Sequence, residues 1–249
     1  MEQKQRQFWK ARAIVLLWLL IGAALRLYDV GQSPPGLYHD EAQHGLDALY
    51  VLEGNVPLYF PANNGREPFF IYLVTAGVAL LGRSPLAVRL PSFFVGFLTL
   101  AATYDLACIL WGQKAGRWAL AVLAVTFWHV HLSRVGFRAV LLPLFTALYL
   151  AQAARGLHTK RTRHWIAAGV LYGASWYTYM AARFTPVALA VMIIYTIVFH
   201  RDTARGAWRG ALAFCAAALI VLLPLGLYTI QHPDIVLSRT GQVTITPVS

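Results

Sequence analysis

Acidic side chains are scarce in this chain: ten among 249 residues, against 21 lysines and arginines. Cysteine is scarcer still. Cys108 and Cys215 both sit inside apolar runs, which gives neither a disulfide framework nor a cysteine metal site. Charged residues of either sign make up only 12% of the chain and hydrophobic ones 58%, with a mean hydropathy of +0.55, so a soluble domain is excluded and a polytopic membrane protein indicated. No internal repeat is visible. The formal charge of +11 would point to nucleic acid in a soluble chain. Here the bases fall in short clusters between apolar runs, as the orientation rule for membrane loops requires, and nucleic acid is not the expected partner.

Candidate spans cover residues 13–28, 90–111, 118–131, 139–154, 165–180, 184–199 and 211–230. The first run could be the core of a cleaved signal peptide, but further spans follow and Arg26 can snorkel to the interface, which favours a retained span. Pro68 to Gly82 is apolar yet shorter than the roughly 20 residues that crossing needs, and it is expected to lie in the interface. With that run outside the count, thirteen of the 21 basic residues and all four lysines fall on the side of the N-terminal tail. Seven fall on the other side and Arg26 lies within the first span. The positive-inside bias then gives seven spans, a cytoplasmic N-terminus and an extracytoplasmic C-terminus. Trp9, Trp111, Trp118, Trp128, Trp165 and Trp208 lie near span ends, where an aromatic belt belongs.

The extracytoplasmic loop, residues 29–89, holds the one long polar interval, Tyr38 to Pro68, and half of all the acid: Asp40, Glu41, Asp47, Glu53 and Glu67. Glu41 to Glu53 has a helical pattern, with Ala42, Leu46, Leu49 and Tyr50 on one face and Gln43, His44 and Asp47 pointing away. Gly54 and Asn55 end it and Pro57 follows, giving a short helix on the outer surface of the membrane. Asp40 then reads as its N-cap, with Gln43 completing a capping box.

These residues resemble membrane glycosyltransferases of the GT-C fold, the class of protein O-mannosyltransferases, aminoarabinose transferases and other transferases using lipid-linked sugars. Asp40-Glu41 matches the acidic pair that the family carries in its first extracytoplasmic loop, and Glu67-Pro68 matches a later element before a juxtamembrane helix. The segments Ser84 to Pro91, Ser133 to Arg138 and Tyr177 to Pro186 are also similar, so the resemblance runs over almost the whole chain. It implies an all-α, polytopic, GT-C-like helix bundle with juxtamembrane helices in the first loop, as a single domain over 1–249. It also implies an inverting transfer from a polyprenyl-phosphate sugar to a hydroxyl acceptor at the outer face of the cell membrane. Members continue through further spans, so 1–249 is expected to be an incomplete enzyme.

Inverting transfer needs a carboxylate opposite the phosphate to take the acceptor's proton. The resemblance gives that role to Asp40, with Glu41 beside it. Asp is a weak base, at about pKa 3.9 unperturbed, and acts late, when the attacking oxygen has become acidic. The leaving phosphate needs cations, for which arginine's fork is suited. Arg66, Arg134, Arg138 and Arg183 are the candidates, with Glu67 and Tyr179 as further substrate-binding residues. Each has a plainer alternative. Asp40 can simply cap its helix, and Glu41 can be a solvated first-turn carboxylate. Arg134 and Arg138 can bind lipid head groups, Arg183 can anchor the interface, and His39 belongs to the turn before the helix.

The family's second acidic motif, associated with a metal or with the donor, is missing from the next outer loop, residues 129–138. That argues against a metal, and no cofactor is expected beyond the lipid-linked donor. A transporter or lipid handler is the alternative from another class, since polar groups lie at the outer edges and Pro224 interrupts the last span; against it, no charged residue other than Asp105 is placed near mid-membrane and there is no internal repeat. A non-catalytic homologue is a third.

Overall fold

The computed structural model describes residues 2–62 and 65–234; the expected loop opening at 235–249, with Arg239, lies outside them. The described residues form nine α-helices: α1 Glu2–Leu27, α2 His39–Leu52, α3 Phe69–Leu81, α4 Pro85–Val125, α5 Phe127–Leu132, α6 Leu141–Thr159, α7 Thr162–Ser175, α8 Thr185–Phe199 and α9 Arg201–Gln231. Two 3-10 turns, Arg138–Val140 and Met180–Phe184, lead into α6 and α8. Strands are absent among the described residues, apart from a single bridge between Phe60 and Arg66. Pro85–Val125, Arg138–Thr159, Met180–Phe199 and Arg201–Gln231 are long and apolar enough to cross a membrane. The chain is an all-α, multi-pass membrane protein of GT-C-like architecture.

α4 is a hairpin. Gly112, at φ +84°, leaves the helical region, which glycine alone adopts without a Cβ penalty. Beyond it Gly116 lies so close to Cys108 that a Cβ would come within 2.3 Å of Sγ. Leu100, Leu120 and Ala124 consequently share one buried cluster with Val15 and Trp18 of α1. Glycine also sets the approach of α7 to α9, because a Cβ on Gly169 would meet the Phe214 carbonyl at 2.3 Å and one on Gly173 would meet Val221 at 2.8 Å. α8 buries no residue, and Val191, Ile193, Ile194 and Ile197 face outward, as suits a helix solvated by lipid.

Side-chain contacts identify the two ends of the bundle. Arg134 donates to the carbonyls of Leu25 and Tyr28 at the end of α1, and Tyr228 of α9 lies 6.1 Å from Tyr59. α4 and α6 begin, and α7 ends, at this same end, which carries the acidic interval. The Gly112 turn and the links at 160–161 and His200 lie at the other. α3 stays at the acidic end: Phe69 packs on Phe145, Gly77 packs on Ala87 and Pro91, and residues 82–84 lead straight into α4.

Three expectations change. Arg26 does not snorkel outward. It is wholly buried and donates to the carbonyls of Gly22, Leu123 and Ala124 and to Nδ1 of His129, closing the end of the second α4 limb. Asp105 does not stand alone in the bundle, because Arg155 donates to both its oxygens, at 2.5 and 2.7 Å. The break at Pro224 is filled: the Tyr177 hydroxyl donates to the Val221 carbonyl at 2.7 Å and accepts from the Leu225 N–H at 3.2 Å.

Candidate active site

The site is built on α2, whose polar face turns into the protein. Glu41, His44, Asp47 and Ala48 are buried, while Leu46 and Tyr50 are exposed. In a bilayer the apolar stripe has a solvent of its own, so such a helix can lie in the interface and give its charges to the fold. The helix begins one residue before Asp40, with Tyr38 at the N-cap, and Glu41 rather than Gln43 reaches back, accepting from the Tyr38 N–H at 2.9 Å. Asp40 is therefore a first-turn residue and not the cap. Gln43 donates instead to Asp47, at 3.1 Å.

Glu41 is saturated and is not the solvated carboxylate of the plainer reading. Besides Tyr38 it accepts from the Gly136 N–H at 2.7 Å and from Nε and Nη2 of Arg89 at 2.8 and 3.2 Å. Burial alone would raise its pKa, but these donors outweigh it and the carboxyl sits below the ordinary range. Its role is to position the loop, for Arg89 also donates to the carbonyls of Val30, Pro34 and Gly36. One turn along, His44 grips the same glycine from the other side. A carbonyl only accepts, so the 2.9 Å bond to Gly136 O fixes the proton on Nδ1. Burial lowers the His44 pKa to about 4, against the pull of that carbonyl, and the ring is neutral.

The other buried acids are paired in the same way. Asp47 meets Arg66, which is buried and held by the bridge to Phe60. Burial raises Asp47 despite that cation. Glu67 lies 3.6 Å from Nε of Arg138 and 3.7 Å from Nη2 of Arg183, so two cations face one acid. The Arg138 guanidinium also lies 5.5 Å from the centre of the Tyr179 ring. Glu67, Arg138, Tyr179 and Arg183 thus come together. Arg134 does not join them: its guanidinium is spread over the carbonyls of Leu25, Tyr28 and Ser33. His39 is the first residue of α2 rather than part of the turn before it, and lies 3.5 Å from Asp40.

Asp40 differs in setting. Its side chain is 28% exposed and borders a cavity of about 500 Å³ whose walls include Pro34, Tyr38, Trp128, His131 and Phe137. Phe137 lines that cavity and also packs edge-on to Tyr179, 6.1 Å between centroids, linking it to the arginine cluster. Arg89, His44 and Gly136 were not among the residues the sequence pointed to. Arg89 lay within the similar segment Ser84 to Pro91, but nothing in a single sequence joins it to an acid 48 residues away.

The chain is thus a polytopic helical bundle with buried ion pairs gathered at one end, beside a cavity bordered by the partly exposed Asp40. Residues 65–228 match the dolichyl-phosphate-mannose-protein mannosyltransferases, and the chain belongs to that family. It is thereby a membrane glycosyltransferase of the mannosyltransferase type, and the family implies a lipid-linked sugar donor and an acceptor. The match contains Arg66, Glu67, Arg138, Tyr179 and Arg183 and begins after Asp40 and Glu41. No curated protein matches the chain.

Proposed function

We propose that this chain moves a sugar from a polyprenyl phosphate to a hydroxyl acceptor with inversion, at the membrane face that carries residues 38–68, with Asp40 as general base. The basic clusters at the opposite end orient that face away from the cytoplasm. The carrying observation is a contrast in burial: Glu41, which lines the same cavity, and Asp47 and Glu67 are buried against Arg89, Arg66 and the Arg138/Arg183 pair, whereas the Asp40 side chain is 28% exposed at the cavity. In the transfer, Asp40 takes the acceptor's proton as its oxygen bonds to the anomeric carbon. The bond from that carbon to the phosphate oxygen breaks, and the phosphate leaves with the electron pair. Arg138 and Arg183 exceed Glu67 by one charge and supply the cation that stabilises it. An apolar groove of about 610 Å³ starts at Phe69 and Leu141, two residues from Glu67 and three from Arg138, and suits the polyprenyl chain.

Purified protein in lipid, given radiolabelled polyprenyl-phosphate sugars and candidate acceptors, tests the reading. Asp40→Asn is expected to lower transfer by about 100-fold or more with unfolding unchanged, since general-base catalysis contributes on that order. Activity within a few-fold of wild type would remove Asp40 from the chemistry.

A further inference from the structure

The bundle has a second polar cavity, at the end opposite the acidic loop and remote from the transfer chemistry. It measures about 480 Å³ and lies where the link between α6 and α7 meets the first turns of α9. α6 runs 19 residues from the arginine cluster to this cavity, a separation of about 28 Å at 1.5 Å per residue. Lys160, Thr162, Trp165, Asp202, Thr203 and Arg209 supply its side-chain functions.

The cavity has a built floor. Trp165 is clasped between two glycines, and a Cβ on Gly156 or Gly210 would stand 2.7 or 2.3 Å from its indole nitrogen. Both glycines line the cavity, so their lack of side chains lets the ring lie flat between α6 and α9. Lys160 ends α6 in the left-handed conformation, at φ +56°, and Arg209 lies with its guanidinium 5.3 Å from the Trp208 ring. Charge at this end is strongly one-sided. Arg155, Lys160, Arg161, Arg163, Arg201, Arg205 and Arg209 converge here with Asp202 as the acid between them, and Asp105 is already engaged by Arg155.

We infer that this cavity is a binding site for the phosphate-bearing head group of an anionic membrane lipid. Lys160 and Arg209 face its phosphate, Thr162 and Thr203 its ester or glycerol oxygens, and Trp165 its glycerol backbone. The location fits a lipid better than a soluble anion, because the cavity opens at the ends of membrane helices beside the exposed Trp208 and the apolar Leu212 of α9. Basic pockets between helices at the membrane surface hold acidic head groups by this combination of cations and interfacial aromatics.

The test is binding of the full chain in neutral detergent to phosphatidylglycerol, phosphatidylcholine and inorganic phosphate, followed by native mass spectrometry and titration. Saturable binding of phosphatidylglycerol is expected, with phosphatidylcholine and inorganic phosphate at least about tenfold weaker. Removing each surface cation weakens such binding by roughly fivefold. Lys160→Gln with Arg209→Gln should therefore lose roughly 25-fold, while Arg161→Gln with Arg163→Gln, the same charge removed outside the cavity, should lose clearly less. Asp202→Asn should tighten binding and serves if the first double variant does not fold. Equal losses in the two double variants would make this a diffuse basic surface and overturn the inference, as would equal binding of phosphatidylcholine. Inorganic phosphate binding as tightly as the lipid would assign a soluble-anion site instead.

Discussion

Arg89 and Glu41 are joined at two points, Nε to Oε1 at 2.8 Å and Nη2 to Oε2 at 3.2 Å, and both side chains are withdrawn from solvent. The pair ties the first turn of α2 to the first turns of α4. Through the carbonyls of Val30, Pro34 and Gly36 it also shapes the wall of the cavity beside Asp40. Buried pairs are weak sources of stability as a whole, but losing one partner strands a charge. Arg89→Met should therefore destabilise the protein by about 3–5 kcal/mol in detergent unfolding. Arg89→Lys should recover only part of this, because an ammonium cannot reproduce the fork. A loss below about 1 kcal/mol for Arg89→Met would show that the pair does not hold the loop.

Tyr177 and Pro224 predict a second effect. Proline has no N–H, and its ring opens the helix around it. The Tyr177 hydroxyl enters the opened ladder between Val221 and Leu225. Tyr177→Phe keeps the ring and removes the bridge, so a cost of about 1 kcal/mol is expected, as for other polar contacts between membrane helices. Tyr177→Phe combined with Pro224→Ala should cost less than Tyr177→Phe alone, since alanine lets the ladder close on itself. Equal costs would mean that the hydroxyl does not serve the break.

The sequence disclosed the helices more readily than their faces. The basic clusters, the short run before Gly82 and the acidic interval were all legible, because length, charge and hydropathy are local properties. The inward face of α2 was not. The alternation of Leu46 and Tyr50 with His44 and Asp47 defines two faces, but which one meets the protein depends on whether water or lipid covers the other. The partners of Arg89, Arg134 and Tyr177 lie 44 to 109 residues away in the chain. Those contacts exist only after the helices pack. Arg134 read as a phosphate candidate because it is an arginine in an outer loop, yet the open carbonyls at the end of α1 take it.

Acid should unfold the protein in a particular window. Native His44 is neutral with a pKa near about 4, while in the unfolded chain it has an ordinary value of about 6.5. Its contribution is thus complete above about pH 6.5 and is lost as the pH falls from there toward 4, by up to about 3 kcal/mol. Glu41, depressed in the native state, contributes above its unfolded value of about 4.3 and loses that contribution at lower pH. Asp47, raised by burial, gains stability as the pH falls through the range just above its ordinary value and offsets part of this. Unfolding measured between pH 7.5 and 4.5 should slope steeply for the wild type and more gently for His44→Gln, whose amide can still donate to Gly136. Parallel slopes would take the titration away from His44.

Arg138 and Arg183 face the same carboxylate but are exposed to different degrees, which separates their roles experimentally. The Arg138 side chain is 7% exposed and lies against Tyr179, whereas that of Arg183 is 30% exposed. Replacing the buried cation leaves Glu67 with only its partly exposed neighbour, so Arg138→Gln should cost on the order of 3 kcal/mol of stability whatever it does to transfer. Arg183→Gln should change stability by less than about 1 kcal/mol, because a partly exposed pair is screened by solvent. If the Arg183 guanidinium meets the donor phosphate, however, the loss of a charge-assisted hydrogen bond should raise the donor KM by about tenfold or more. The acceptor KM should stay within about twofold, since in the proposed reaction Asp40 and not the arginine cluster meets the acceptor hydroxyl. Steady-state transfer with each substrate varied in turn decides the matter. An unchanged donor KM in Arg183→Gln would place the phosphate elsewhere.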